Sequence, residues 1–119
     1  MKVIIADLFS EAGKAQLEEA KWEIMYNKDL KEDSLKDALA EFQPEVLVVR
    51  STKVPAPLID ANPNLKLIIR AGAGFDSIDF NHAASKGIKV ANCPGKNATA
   101  VAELCIGLII TVDLSLIRI

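Results

Sequence analysis

Residues 67–80 read LIIRAGAGFDSIDF. An apolar run breaks into Gly72-Ala73-Gly74, and Asp79 follows where a helix would be capped. A strand that ends in two closely spaced glycines ahead of a helix is how a dinucleotide-binding turn begins. The stretch departs from that pattern at three points. Its third small position is Ser77, the crossover from Gly74 to Ile88 is short, and the next apolar run ends in Ala91-Asn92-Cys93 with no acid to hold a ribose. Gly72 and Gly74 still allow the backbone to approach a ligand and to turn its N–H groups outward. Such a bend can hold a carboxylate or a phosphate. A tight turn with no ligand is the alternative.

Working outward, five short apolar runs predict strands: KVII (2–5), WEIMY (22–26), VLVV (46–49), KLII (66–69) and IKVA (88–91). They are nearly continuous in apolar residues rather than alternating, the mark of a parallel sheet buried on both faces. Helices are predicted between them. One spans 10–20 with Ser10 as its cap. A second carries Leu35, Ala38, Leu39 and Phe42 at i, i+3, i+4 and i+7, with Ser34 and Asp37 resembling a capping box and Pro44 as the stop. A third starts at Pro55, and a fourth runs from Asp79 to a terminator at Gly87. Strand and helix alternate, so the predicted fold is α/β, a doubly wound five-stranded parallel sheet with helices on both faces. Ligands of such sheets bind beyond the carboxyl ends of the strands. The positions to inspect are therefore Asp7, Arg50-Ser51, Arg70-Ala71-Gly72 and Asn92-Cys93-Pro94.

Arg50 directly follows an apolar run and is followed by Ser51, Thr52 and Lys53. Two cations and two hydroxyls at one strand end suit a small anion, although a strand-end arginine is as often ion-paired or solvated. Arg70 reads as a brace for the glycine bend, and His82 as a surface residue.

The chain has 119 residues, 50% of them apolar, and a net charge of −2, which suits one domain with a real core. Its charges are mixed along the chain, with no basic run, so nucleic acid is excluded as a partner. Cys93 and Cys105 form no CxxC pair and read as free thiols of a reducing cytoplasm. No leader is evident at the start. The longest apolar run, 104–112, is bounded by Glu103 and Asp113 and falls short of the roughly 20 residues a membrane span needs.

Three segments in order, VVRSTKV, NLKLIIRAGAGFDSIDF and AASKGIKVANCPGKNATAVAEL, closely resemble the D-isomer-specific 2-hydroxyacid dehydrogenases. The resemblance is strong over residues 46–110 and covers the first 45 only in layout. It implies a flavodoxin-like substrate domain paired with a Rossmann domain that binds NAD. Arg50 and Ser51 match the family's substrate-anchoring pair. Ala71, Gly72, Ala73 and Gly74 match the loop whose amides face the substrate carboxylate. Ala73 also sits where the nicotinamide approaches, Asn97 matches an asparagine near the substrate, and Val101 a position beside the cofactor. The implied ligand is a small 2-hydroxy or 2-keto acid, with Arg50 and Lys53 leaning toward a phosphorylated one. The family's catalytic Arg, Glu and His belong to the Rossmann domain, and nothing in this sequence matches them. The expectation is a substrate domain at 1–97 and, at 98–119, an apolar helix leading into a domain absent from this chain, which would be inactive alone. Thr99, Glu103, Gly107, Thr111 and Ser115 give that helix one narrow polar stripe, and its apolar remainder implies a homo-oligomer. A stand-alone anion-binding or regulatory module of the same fold is the second reading. A phospho-acceptor signalling domain would need an aspartate where Arg50 stands.

Overall fold

The computed structural model describes residues 2–6, 23–27, 29–30, 32–49, 52–70, 78–92 and 107. Five strands, β1 (Lys2–Ile5), β2 (Glu23–Tyr26), β3 (Val46–Val49), β4 (Leu67–Arg70) and β5 (Lys89–Asn92), form one parallel sheet in the order β2-β1-β3-β4-β5. Among the described residues the connecting helices are α1 (Glu32–Phe42), α2 (Ala56–Asp60) and α3 (Phe80–Ser85). The predicted helix at 10–20 lies outside the described residues. The strand order is flavodoxin-like, with its direction reversing between β1 and β3.

The sheet is buried on both sides, as its uninterrupted apolar strands require. Ile4, Leu47 and Ile68 are register neighbours and enter one core cluster with Leu35 and Leu39 of α1, Leu58 and Ile59 of α2, and Ala83 of α3. The alternate row, Ile5, Val48 and Ile69, faces the other way and is also buried. The amino ends of the strands are charged. Glu23 pairs with Lys2 in register, and Glu45 and Lys66 continue the row across β3 and β4. Lys66 Nζ lies 3.1 Å from Glu45, and Lys2 Nζ lies 5.2 Å from the centre of the Phe42 ring.

Local signals place most boundaries. Asp79 caps α3 by accepting from the His82 N–H at 3.0 Å. Gly87 closes the helix with φ +77°, and Ile88 N–H reaches back to Ala83 O at 3.0 Å, a Schellman ending with both of those side chains in the core. α1 ends at Phe42 because Gln43 takes φ 51° ahead of Pro44, its N–H returning to Leu39 O at 3.0 Å.

Two expectations are corrected. α1 starts at Glu32, so Ser34 lies inside the helix and cannot be its cap. Leu30 and Leu35 occupy the flanking positions of a hydrophobic staple and both are buried in the core, which sets the start three residues earlier than a Ser34 cap would. β4 and β5 each run one residue further than their apolar runs, because Val49 pairs with Arg70 and Arg70 with Asn92. Ladder pairing, rather than hydropathy, ends these strands.

Asn62 is buried at the corner between α2 and β4. Its Nδ2 donates to Pro44 O at 2.8 Å, and its Oδ1 accepts from Asn64 N–H at 3.2 Å. Asn62→Ala strands that carbonyl and should cost about 1–3 kcal/mol. A Cβ at Gly87 meets nothing within 4 Å, so Gly87→Ala carries only the backbone cost, about 1–2 kcal/mol. Urea midpoints at unchanged m-value would check both, and a neutral Asn62→Ala would remove the corner from the account.

Candidate functional site

The carboxyl ends of β3, β4 and β5 form one row, Val49, Arg70 and Asn92. Two segments leave this row from adjacent strands: 50–53 after Val49 and 71–77 after Arg70. They end together as well. Val54 bridges Ile78 in parallel, and Asp79 N–H donates to Val54 O at 3.0 Å. Each segment is therefore tied to the other at its start and at its finish. Thr52 is buried within the first of them, whereas Lys53 is exposed. Arg70 is half-buried at the head of the second.

The residues singled out for ligand contact, Arg50, Ser51, Ala71, Gly72, Ala73, Gly74, Asn97 and Val101, lie outside the described residues, as does Asp7. The described residues bring together the flanks of the first six and leave Asn97 and Val101 unplaced. The double tie between the segments was not legible in the sequence, because Val54 and Ile78 belong to no periodic run.

Two clefts among the described residues lie at the opposite end of the sheet, where strands begin. The larger, about 520 Å³, is lined by the charged row Glu23, Lys2, Glu45 and Lys66 together with Gln43, Pro63, Asn64 and Leu65. Glu45 and Lys66 already satisfy each other there. The smaller, about 160 Å³, lies beside Asp60, Asn62 and Lys86. Among the described residues no group of His, Cys, Asp and Glu is arranged to hold a metal, and no described helix is long and apolar enough to cross a membrane.

A sheet with this order and with chain segments gathered at its carboxyl edge is common to many nucleotide- and acid-binding proteins, and the match of the whole sequence decides among them. The family model for the D-isomer specific 2-hydroxyacid dehydrogenase, catalytic domain, matches residues 3–111. The chain belongs to that family. It is 56% identical over 78 residues to a hydroxypyruvate reductase of Thermotoga maritima, covering 63% of this chain and 26% of that protein. It is 39% identical over 111 residues to a D-3-phosphoglycerate dehydrogenase of Archaeoglobus fulgidus, covering 92% of this chain and 21% of that protein. Among solved structures, an NAD+-bound 3-phosphoglycerate dehydrogenase of Entamoeba histolytica superposes with a TM-score of 0.71 at 34% identity, covering 93% of this chain and 38% of that one. The chain thus spans roughly a fifth to a quarter of the length of these two curated relatives.

Within this 2-hydroxyacid dehydrogenase chain, His82 is less solvated than its sequence context implied. Its Nε2 donates to Asp60 Oδ1 at 2.7 Å, and Lys86 Nζ stands 3.7 Å from the same oxygen. The hydrogen bond from His82 is the main cause holding the Asp60 carboxyl below the usual carboxylate range; desolvation opposes it, and the charges of His82 and Lys86 add further to the lowering. A carboxylate lowered in the folded chain stabilises above the ordinary carboxylate range and loses that contribution as pH falls through its lowered midpoint. His82→Ala should therefore raise the Asp60 midpoint toward the ordinary value and flatten the acid limb of stability. Carboxyl carbon NMR titration checks this, and an unmoved midpoint would refute the assignment.

Proposed function

We propose that this chain is the substrate-anchoring domain of an NAD-dependent D-2-hydroxyacid dehydrogenase, with a phosphorylated three-carbon 2-hydroxy acid as its ligand. That is the chemistry of phosphoglycerate oxidation at the entry to serine biosynthesis. The observation that supports the reading is the bracket around segments 50–53 and 71–77: paired at Val49 and Arg70 where they begin, and at Val54 and Ile78 where they end. An acid held between the two segments meets a guanidinium and a hydroxyl from one and backbone amides from the other. Arg50 offers its planar fork to the carboxylate and Ser51 a hydroxyl. The bend formed by Ala71, Gly72, Ala73 and Gly74 offers N–H groups. By the family resemblance Asn97 is assigned to the substrate, and Ala73 and Val101 to the nicotinamide end of the cofactor.

The residues of this chain do not fit a complete NAD site. β5 ends in the neutral Asn92 where a ribose-binding carboxylate would stand, and Ser77 replaces the third glycine. Hydride transfer needs a held cofactor and a group that moves the proton. The 119 residues match none of the family's catalytic Arg, Glu and His. The chain by itself binds and orients the acid but does not turn it over, and its place is the cytoplasm.

Calorimetric titration with D-3-phosphoglycerate should show saturable binding. Arg50→Ala should weaken it about tenfold or more, the worth of a charge-assisted contact. Lys53→Ala should weaken phosphoglycerate but leave D-glycerate unchanged. Equal binding by Arg50→Ala, or robust turnover of phosphoglycerate with NAD by the chain alone, would overturn the reading.

We assign self-association to residues 98–119, a largely apolar stretch in which polar or small residues recur at every fourth position. Light scattering should show a homo-oligomer whose mass rises with concentration. A clean monomer at high concentration would refute this.

A further inference from the structure

The charged row at the amino edge of the sheet is left unfinished within one chain. Glu23, Lys2, Glu45 and Lys66 stand side by side, on β2, on β1 and just ahead of β3 and β4. As register neighbours they project from one face of the sheet. Opposite charges placed in this way pair along the row where nothing else claims them. Within the row only Glu45 and Lys66 close to ion-pair distance, at 3.1 Å. Lys2 Nζ turns instead to Phe42 O at 3.4 Å and to the Phe42 ring. Glu23 is exposed on the edge strand and makes no ion pair among the described residues. The pair that does form keeps capacity for more. The Lys66 side chain is 59% exposed, an ammonium has three N–H groups, and a carboxylate accepts at both oxygens.

The four charges sum to zero. A simple anion or cation laid on the row meets as much repulsion as attraction. The row instead suits a surface whose charges alternate at the same step, one strand spacing of about 4.8 Å. The chain's own row is such a surface. An alternating row with an even number of members is complementary to itself when turned end for end. Read from β2 the signs run minus, plus, minus, plus; read from β4 they run plus, minus, plus, minus. A two-fold axis perpendicular to the sheet makes that turn and keeps the side chains of both copies on one face. Glu23 then faces Lys66 of the second copy and Lys2 faces its Glu45, and the symmetry repeats both contacts. The 520 Å³ cleft that the row lines gives room to the long lysine stems of the facing copy.

We propose that the amino edge of the sheet is an interaction surface for a second copy of this chain, joined end to end about a two-fold axis by four reciprocal ion pairs. The surface lies at the opposite end of the strands from the proposed acid site and does not involve residues 98–119. The row spans three strand spacings, about 14 Å. The contact is therefore small and reversible, in the class of weak encounters. Its attraction is carried by exposed charges, and the Debye length falls from about 10 Å at 0.1 M salt to about 3 Å at 1 M.

The test is sedimentation velocity of the full chain over a range of protein concentrations, at low salt and at about 1 M salt. The unaltered chain should associate at low salt and lose about tenfold or more of that association constant at high salt. Apolar association through residues 98–119 holds or strengthens as salt rises, so the component lost to salt measures the edge. Glu23→Lys and Lys66→Glu each set like charges against one another twice across the axis. Each should weaken the low-salt association about tenfold or more. Glu23→Gln removes a charge without reversing it and should weaken association about threefold. An equal mixture of Glu23→Lys and Lys66→Glu should recover association close to that of the unaltered chain. Every contact between those two different chains is again between opposite charges, and damage to either fold would not be repaired by mixing. Association that salt leaves unchanged, or a monomer at every concentration, overturns the proposal. So do reversed-charge variants that associate as the unaltered chain does, and a mixture that associates no better than its components.

Discussion

The structure depends on the register of β3 between β1 and β4. Every residue of β3 is buried, and its neighbours Ile4, Ile5, Ile68 and Ile69 are buried too. With apolar side chains on both faces, a slip by one residue would not expose the core, so polarity across the sheet cannot choose the register. Polarity along the strands can. Glu23, Lys2, Glu45 and Lys66 form a charged row at the amino ends, alternating in sign. A slip of any one strand would drive a charge toward the apolar interior, at a cost far above the about 0–1 kcal/mol that each exposed pair contributes in place. The row thus acts mainly through what it forbids. The 520 Å³ cleft it lines is a consequence of this.

That arrangement separates two duties. The amino end holds the devices that set register and corners: the charged row, the Asn62 staple to Pro44 O, and the left-handed Gln43. The carboxyl end is left to segments that repeat nothing and obey no period. Their flanking residues are paired twice, Val49 with Arg70 and Val54 with Ile78.

What was legible in the sequence follows the range of the interaction concerned. The Asp79 cap and the Gly87 ending act over three to five residues, and both were readable. The five strands were readable because burial on both faces writes continuous apolar runs. Their ends were off by one residue in β4 and β5, because Arg70 and Asn92 join the ladder through backbone pairing that side-chain character does not encode. Ser34 misled because capping propensity is a weak local preference, overridden by the burial of Leu30 and Leu35. The bridge between Val54 and Ile78, and the pair of His82 with Asp60 across 22 residues, left no local signal at all. Arg50, Ser51 and the two-glycine stretch were readable as strand-end residues with anion-binding chemistry, whereas Asn97 and Val101 came from the resemblance alone.

The two curated relatives compared here differ in the name of the acid they act on, one a hydroxypyruvate reductase and the other a phosphoglycerate dehydrogenase. The two align with 78 and 111 residues of this chain respectively, so the aligned stretch does not by itself distinguish the acids. On the proposed reading the distinction belongs at the rim. The carboxylate and the reacting C2 are common to both acids and call for fixed groups next to a paired strand end, which Arg50 and Ala71 follow directly in sequence. A terminal phosphate is a strongly hydrated dianion, best met by a mobile cation in contact with water. Lys53 is that kind of group: exposed, four residues past the last strand pairing at Val49, and one residue before the bridge that ends the segment. Its neighbour Thr52 is buried, so the backbone that presents Lys53 is anchored while its ammonium is not. Substrate choice can then drift at the rim without disturbing the register on which the fold depends.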